Sequence, residues 1–262
     1  MNRALRTAAT GMYAQQLNVD LIAHNIANVN TTGFKKTRPE FQDLMYQTLK
    51  VSGTSTDPNI QEPSEIQVGN GAVPVATTRN FAQGDIQPTN NQTDFAIQGD
   101  GFFQVRRPDG TIGYTRDGTF KISAEGSLVT SQGYIIEPGL TIPSDTTAIT
   151  VSTEGVIEAA TVGSSTPTQL GQFELAKFVN PGGLRAIGDD LYVETPASGA
   201  PITGTAGTEG FGEIMQSHLE SSNVDVVEEM VNMITAQRAY EINSKTIKTV
   251  DDMLTIANNI QR

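Results

Sequence analysis

The sequence predicts an α+β protein, with discontinuous N- and C-terminal coiled-coil-like helices plus an elongated all-β central domain. Three observations predict it. Apolar residues recur every seven positions near the amino end and again near the carboxy end, and between these stretches apolar and polar residues alternate in short runs broken by turn dipeptides.

In the first stretch Leu5, Met12, Val19 and Ile26 stand seven apart, with Ala8, Ala9, Ile22, Ala23 and Val29 at the intervening half-heptad positions. Only Gly11 and no Pro interrupts Arg3 to Asn28, after which Asn30, Thr31, Thr32 and Gly33 supply turn-forming residues. Helical rise makes this element about 40 Å long. Residues 46–80 hold neither period, carry Pro58, Pro63 and Pro74, and read as an extended connector. Strand patterning follows and is clearest over residues 101–130. There Asp109-Gly110, Asp117-Gly118 and Glu125-Gly126 lie eight apart, the spacing of a meander of short antiparallel strands. Further strand-like runs occupy 133–136, 148–151, 173–179 and 190–194, and residues 198–212, rich in Gly, Thr and Ala, lead back toward the last element. In that element Val226, Met233, Tyr240, Ile247 and Leu254 repeat every seven residues, and Met230, Ile234, Val250 and Ala257 widen the stripe on shifting flanks. Ser221, Ser222 or Asn223 can cap its start, and Asp225, Glu228 and Glu229 sit where the helix dipole favours negative charge. The domain reading is therefore a helix with its exit turn over 1–45, a connector over 46–80, an all-β outer domain over 81–210, and a return segment with the second helix over 211–262.

Composition excludes several functions. The 262 residues include no Cys, which removes disulfides, thiolate metal sites and cysteine nucleophiles. The formal charge of −12 argues against nucleic acid, and no run approaches the roughly 18 apolar residues of a membrane span, so membrane insertion is not predicted. The amino end lacks a cleavable secretory signal, because Arg3 and Arg6 lead into an amphipathic stretch. The charge is uneven: residues 1–50 carry +3, residues 219–262 carry −3, and the stretch between holds −12 by itself.

The inventory for catalysis is thin. His24 and His218 are the only histidines, and neither has a sequence-adjacent base or nucleophile. Gly99-Asp100-Gly101 reads as a tight turn before a strand, since no Lys-Ser/Thr or alternating oxygen ligands follow. No enzyme, cofactor or metal site is predicted. The two seams instead demand burial, because an isolated amphipathic helix does not offset its ordering cost. They are satisfied by packing against each other and against further copies of the chain, or by a helical hairpin completed within one chain.

One resemblance is specific. Leu21-Ile22-Ala23-His24-Asn25-Ile26-Ala27-Asn28-Val29-Asn30-Thr31-Thr32-Gly33-Phe34-Lys35 resembles the amino-terminal signature of bacterial flagellar rod and hook proteins. Asn223-Val224-Asp225, Glu228-Glu229-Met230-Val231-Asn232-Met233-Ile234 and Gln237-Arg238-Ala239-Tyr240-Glu241-Ile242-Asn243-Ser244-Lys245 resemble that family's carboxy-terminal motif. Ala96-Ile97-Gln98-Gly99-Asp100-Gly101-Phe102-Phe103 and Tyr114-Thr115-Arg116-Asp117-Gly118 resemble its β-domain motifs.

The resemblance implies a structural subunit that self-assembles into a hollow helical tube, with the β domain outward and an export channel inside. Implied partners are further copies of the chain, proximal rod subunits, hook subunits, the surrounding basal-body rings and the flagellar type III export apparatus. The implied location is the periplasm-spanning rod of the flagellar basal body, reached without a cleaved signal. Leu5, Met12, Val19, Ile26, Val226, Met230, Met233, Tyr240, Ile247 and Leu254 become candidate assembly residues. Asn25, Asn28, Gly33 and Phe34 become the turn out of the first helix, the two Asn bonding backbone at helix ends, Gly33 taking positive φ and Phe34 covering the base of the helix pair. Tyr46, Pro58, Pro63 and Gly69 mark an insert that the resemblance links to stiffness. An acidic β-domain binding or hydrolytic module with helical oligomerisation arms is the competing class.

Overall fold

A computed structural model describes residues 2–50, 65–161, 167–208 and 210–260. It is α+β, with one helix near each end of the chain and a β-rich centre. Two compact units divide it: Met1–Ile26, Thr37–Thr78 and Asp225–Arg262 form one, and Ala27–Lys36 with Arg79–Val224 form the other.

In the first unit α1 (Asn2–Ala27) and α2 (Val226–Ile260) lie side by side. They run antiparallel, since Asn25 Nδ2 bonds Glu229 Oε2 at one end while Gly11 faces Asn243 fourteen residues away on both helices. A Cβ at Gly11 would lie 2.8 Å from Asn243 Nδ2, so glycine there permits the close approach. These meeting points are small or polar, unlike the Leu-rich layers of a coiled coil. The side chains of Leu5, Met12, Val19 and Ile26 are half-buried, whereas Ala8, Ala14, Ile22 and Asn25 are fully buried. Gly71 packs on Thr7 and Thr10 of α1, covering a second side of that helix.

The start of α2 corrects the expected cap. Asp225 fills that role, its Oδ1 accepting from Val227 N at 2.8 Å and Glu228 N at 3.2 Å, so the helix begins after it rather than at Asn223. The connector also differs from expectation. Strand Thr37–Asp43 pairs with Ala72–Arg79, and Gln47–Lys50 pairs antiparallel with Ile66–Val68. Pro39 and Pro74 lie within the first pair, a two-stranded sheet whose free edges tolerate proline, and Pro74 together with the missing alternation is why residues 46–80 read as an extended connector. Pro58 and Pro63 lie outside the described residues.

The second unit is built on a nine-stranded antiparallel sheet centred on Phe102–Arg106, which pairs with Ile112–Thr115 on one side and with Ile135–Ile136 and Glu174–Lys177 on the other. Alternation along the central strand sends Phe103 into a core with Phe95, Phe120, Ile157, Phe173, Leu175 and Ile214, and sends Phe102 to a second core with Tyr114, Phe178, Leu184 and Tyr192. Edge-to-face ring contacts fill both, such as Phe103 to Phe120 at 5.1 Å and Tyr114 to Phe178 at 4.8 Å.

Two of the three predicted hairpin turns join neighbouring strands, at Asp109-Gly110 and Glu125-Gly126. The third does not, because Ile112–Thr115 takes Leu191–Val193 as its other neighbour. Asp117 instead folds its carboxylate onto Thr119 N and Oγ1, and Gly118 lies so close to Phe95 O that a Cβ would overlap it. The outer-domain boundaries move as well. Strands Glu213–Gln216 and His218–Glu220 pair with Phe95–Gln98 and Ile86–Pro88, which carries the β unit to Val224 rather than 210 and adds residues 27–36 to it.

Candidate assembly faces and a buried junction

The helix faces come first. At 100° per residue, Glu229, Ala236, Asn243 and Val250 share one side of α2. Glu229 and Asn243 meet α1 there, and Ala236 and Val250 are buried. Met233, Ile247 and Leu254 sit half-buried on the same side, with Tyr240 more open at 42% exposure and Val226 and Met230 exposed on its flank. The opposite side carries Val227, Val231, Ile234, Ile242, Met253 and Ile256, all exposed, with Arg238, Lys245 and Asp252 interspersed among them. The positions that meet α1 or are buried, Glu229, Ala236, Asn243 and Val250, thus run beside the seven-residue repeat, and a second side, which includes Ile234 from the flank of the repeat, is left exposed. Exposed Tyr13 adds an aromatic ring on α1.

Asn25 ties three segments of the first unit together. Only 2% exposed, it donates through Nδ2 to Thr37 O at 2.9 Å and to Glu229 Oε2 at 3.3 Å, and its Oδ1 accepts from Thr37 N at 3.0 Å. That two-way amide bond fixes where the first strand leaves. In the same unit Gly69 lies against the ring of Tyr46, where a Cβ would sit 3.4 Å from Cε1. The phenol of Tyr46 is raised from its ordinary pKa by a hydrogen bond to Asp43.

In the second unit the exit turn is exact in its geometry. Asn28 O and Oδ1 accept from Thr31 N and Oγ1, each at 3.2 Å. Gly33 adopts φ +68°, and a Cβ there would sit 2.7 Å from Arg116 C and Asp117 N. Phe34 is buried in this unit, and its carbonyl accepts from Asn223 N.

Beside this turn lies a charged junction that sequence reasoning missed. Glu220, 1% exposed, receives Lys35 Nζ at 2.6 Å and Gly84 N at 2.9 Å on Oε1, and Arg116 NH1 at 3.3 Å on Oε2. Lys35, with no exposed surface, also donates to Ala82 O at 2.8 Å, and Arg116 reaches Gly99 O at 2.7 Å while its guanidinium sits 5.4 Å from the Phe102 ring centre. Burial lowers the Lys35 pKa, and the facing carboxylate opposes that shift. Burial likewise lowers that of Arg116, against the attraction of Glu220 and Asp100.

Asn223 completes the junction: Oδ1 accepts from Lys36 N at 2.8 Å, and Nδ2 donates to Asn80 O at 2.9 Å and Ala82 O at 3.0 Å. Lys35 and Arg116 stood in the motifs that carried the resemblance, but nothing in their spacing distinguishes a buried cation from a surface one. His218 Nδ1 lies 2.7 Å from Gln216 O, and His24 lies on an exposed position of α1. Gly99 and Gly101, at φ +111° and +145°, make the tight turn into the central strand.

Among the described residues no helix is long and apolar enough to cross a membrane. Three family models match in chain order. One described as flagella basal body rod protein covers residues 5–35, the flagellar hook protein FlgE/F/G D1 domain covers 96–159, and the flagellar basal body rod FlgEFG protein C-terminal model covers 215–260. The chain is 54% identical over its whole length to the flagellar basal-body rod protein FlgG of Borreliella burgdorferi, all of which is covered. It is 48% identical to the protein of the same name from Caulobacter vibrioides, over 99% of both chains. The flagellar hook protein FlgE of Helicobacter pylori is 42% identical over 56% of this chain and 20% of its own.

Proposed function

We propose, from the premise that the chain belongs to the flagellar basal-body rod protein family, how this structural, non-enzymatic rod subunit builds its assembly. The subunit forms the distal segment of the rod, a hollow rigid helical shaft that transmits torque from motor to hook. The paired helices line an export channel and the β unit faces outward. Its neighbours are further copies, proximal rod subunits, hook subunits and the surrounding rings. It arrives through the flagellar type III export apparatus without a cleaved signal.

The observation that carries this reading is the two-sided apolar character of α2. One side meets α1 of the same chain, and the other, with Val227, Val231, Ile234, Ile242, Met253 and Ile256, is left exposed. A hairpin completed within one chain would leave that second side polar. Helices of neighbouring copies cover it, because burying each such side chain contributes about 1.5–3 kcal/mol.

The test is negative-stain electron microscopy of concentrated protein. Hollow rods are expected from the wild type, and only discrete particles from Val231→Asp/Ile234→Asp at unchanged monomer stability. Discrete oligomers from the wild type, or rods from the double variant, would overturn the reading.

A further inference from the structure

The second unit is assembled from two separate stretches of chain, residues 27–36 and 79–224. The short stretch follows α1, and the long one ends just before α2. Several hydrogen bonds that seat the short stretch use groups from the two ends of the long one. Gly33 N donates to Glu220 O at 2.8 Å, Asn80 N to Lys36 O at 2.9 Å, and Lys36 N to Asn223 Oδ1 at 2.8 Å. Between them lies the fully buried ion pair of Lys35 and Glu220, separated by 185 positions in sequence and backed by Arg116 from the middle of the chain.

We infer that Lys35, Glu220, Arg116 and Asn223 form a closure lock, which seats the segment after α1 and the segment before α2 together and so lets a finished β unit present both helix roots for assembly. The reasoning is electrostatic and topological. A carboxylate with no exposed surface is tolerated only when its partners are in place. Withdrawing residues 27–36 removes its shortest partner and leaves Ala82 O without the Lys35 donor and Asn223 Oδ1 without the Lys36 donor. The costly vacancy is at the buried Glu220 carboxylate, which loses a cation, whereas Ala82 and Asn223 are not buried and Ala82 O keeps its bond from Asn223 Nδ2. The lock therefore closes only when the amino-terminal, central and carboxy-terminal parts of the chain are all present and folded. Covalent connection carries the result outward. Lys35 lies eight residues after Ala27 at the end of α1, and Glu220 lies six before Val226 at the start of α2. An open lock frees both roots while the sheet around Phe102–Arg106, whose cores include none of these residues, keeps its packing.

The test uses the full chain and two variants. Lys35→Met removes one cation and leaves Glu220 bonded to Arg116 and Gly84, and Asn223→Ala removes the amide clasp without touching a charge. Hydrogen exchange followed residue by residue is expected to rise at least about tenfold at the amides of Gly33, Lys36 and Asn223, and to stay at wild-type rates at Phe103, Val105 and Tyr114. Elongation of preformed rod seeds by either variant is expected to slow by a similar factor.

Exchange that rises uniformly, or does not rise, in both variants overturns the lock, and selective opening with wild-type elongation overturns its role in assembly. The elongation arm rests on the rod reading. The exchange arm does not, so a wild type that forms no rods counts against that reading while exchange still decides the lock.

Discussion

Gly33 shows how one residue decides the path of a chain. It combines positive φ with a backbone neighbour only 2.7 Å from any added Cβ, and neither constraint relaxes by moving a side chain. Gly33→Ala is expected to destabilise the β unit by more than about 2 kcal/mol, read from chemical denaturation. Tyr192 offers a pH test. Burial pushes its phenol from 10.0 up to about 12, with Arg79 opposing the shift. Between those values the folded chain keeps a proton that the unfolded chain has lost, so stability present below pH 10 disappears as pH rises through about 12. On the order of 2 kcal/mol is expected from this group. The check is the alkaline loss of stability in the wild type minus that in Tyr192→Phe. The subtraction cancels the opposite slope from Lys35, whose lowered pKa makes stability increase with pH in the alkaline range. Gly33 was legible in the sequence as a turn glycine. The environment of Tyr192 was not, because the residues around it come from Phe81, Phe102 and Arg79 in other segments.

At the scale of elements, local chemistry fixed some features and left others to partners. The seven-residue repeats and the Pro-free runs mark both helices, and Asp109-Gly110 marks the hairpin it makes, because each is a property of a contiguous stretch. Which strand lies next to which was hidden, as Asp117-Gly118 illustrates. The hairpin between Arg185–Gly188 and Leu191–Val193 turns through Asp189 and Asp190, at φ +54° and +56°. Two successive left-handed residues favour Asn-Gly, and Asp190 is further disfavoured by burial and by the nearby charges of Asp117 and Asp189, which raise its pKa. Asp189→Asn/Asp190→Gly is therefore expected to stabilise the unit by about 1 kcal/mol, seen as a higher denaturation midpoint. The apolar face of α2 belongs at this scale too. A second apolar flank showed in the sequence through Ile234, while which residues meet α1 and which stay exposed emerged only once burial on the helix could be read residue by residue.

For the whole molecule, the role to be tested is the proposed stiffening by the insert. The strand pairs Gln47–Lys50 with Ile66–Val68 and Thr37–Asp43 with Ala72–Arg79 give its flanks a paired base. As a stiffener it should matter to the polymer rather than to the fold, so shortening residues 47–66 is expected to yield rods that bend visibly in electron micrographs, at unchanged stability of the β unit. Unchanged straightness would remove that role. The sequence by itself determined the two terminal helices, the β-rich centre, the acidic charge of that centre and membership of a structural family, because periodicity, composition and contiguous motifs are properties of the chain in one dimension. Only the tertiary structure decided that residues 27–36 belong to the β unit, which residues of α2 stay exposed on its second flank, and that Lys35, Arg116 and Glu220 share one buried site. The burial of a charge depends on groups brought from distant positions, and no spacing along the chain encodes which groups those are.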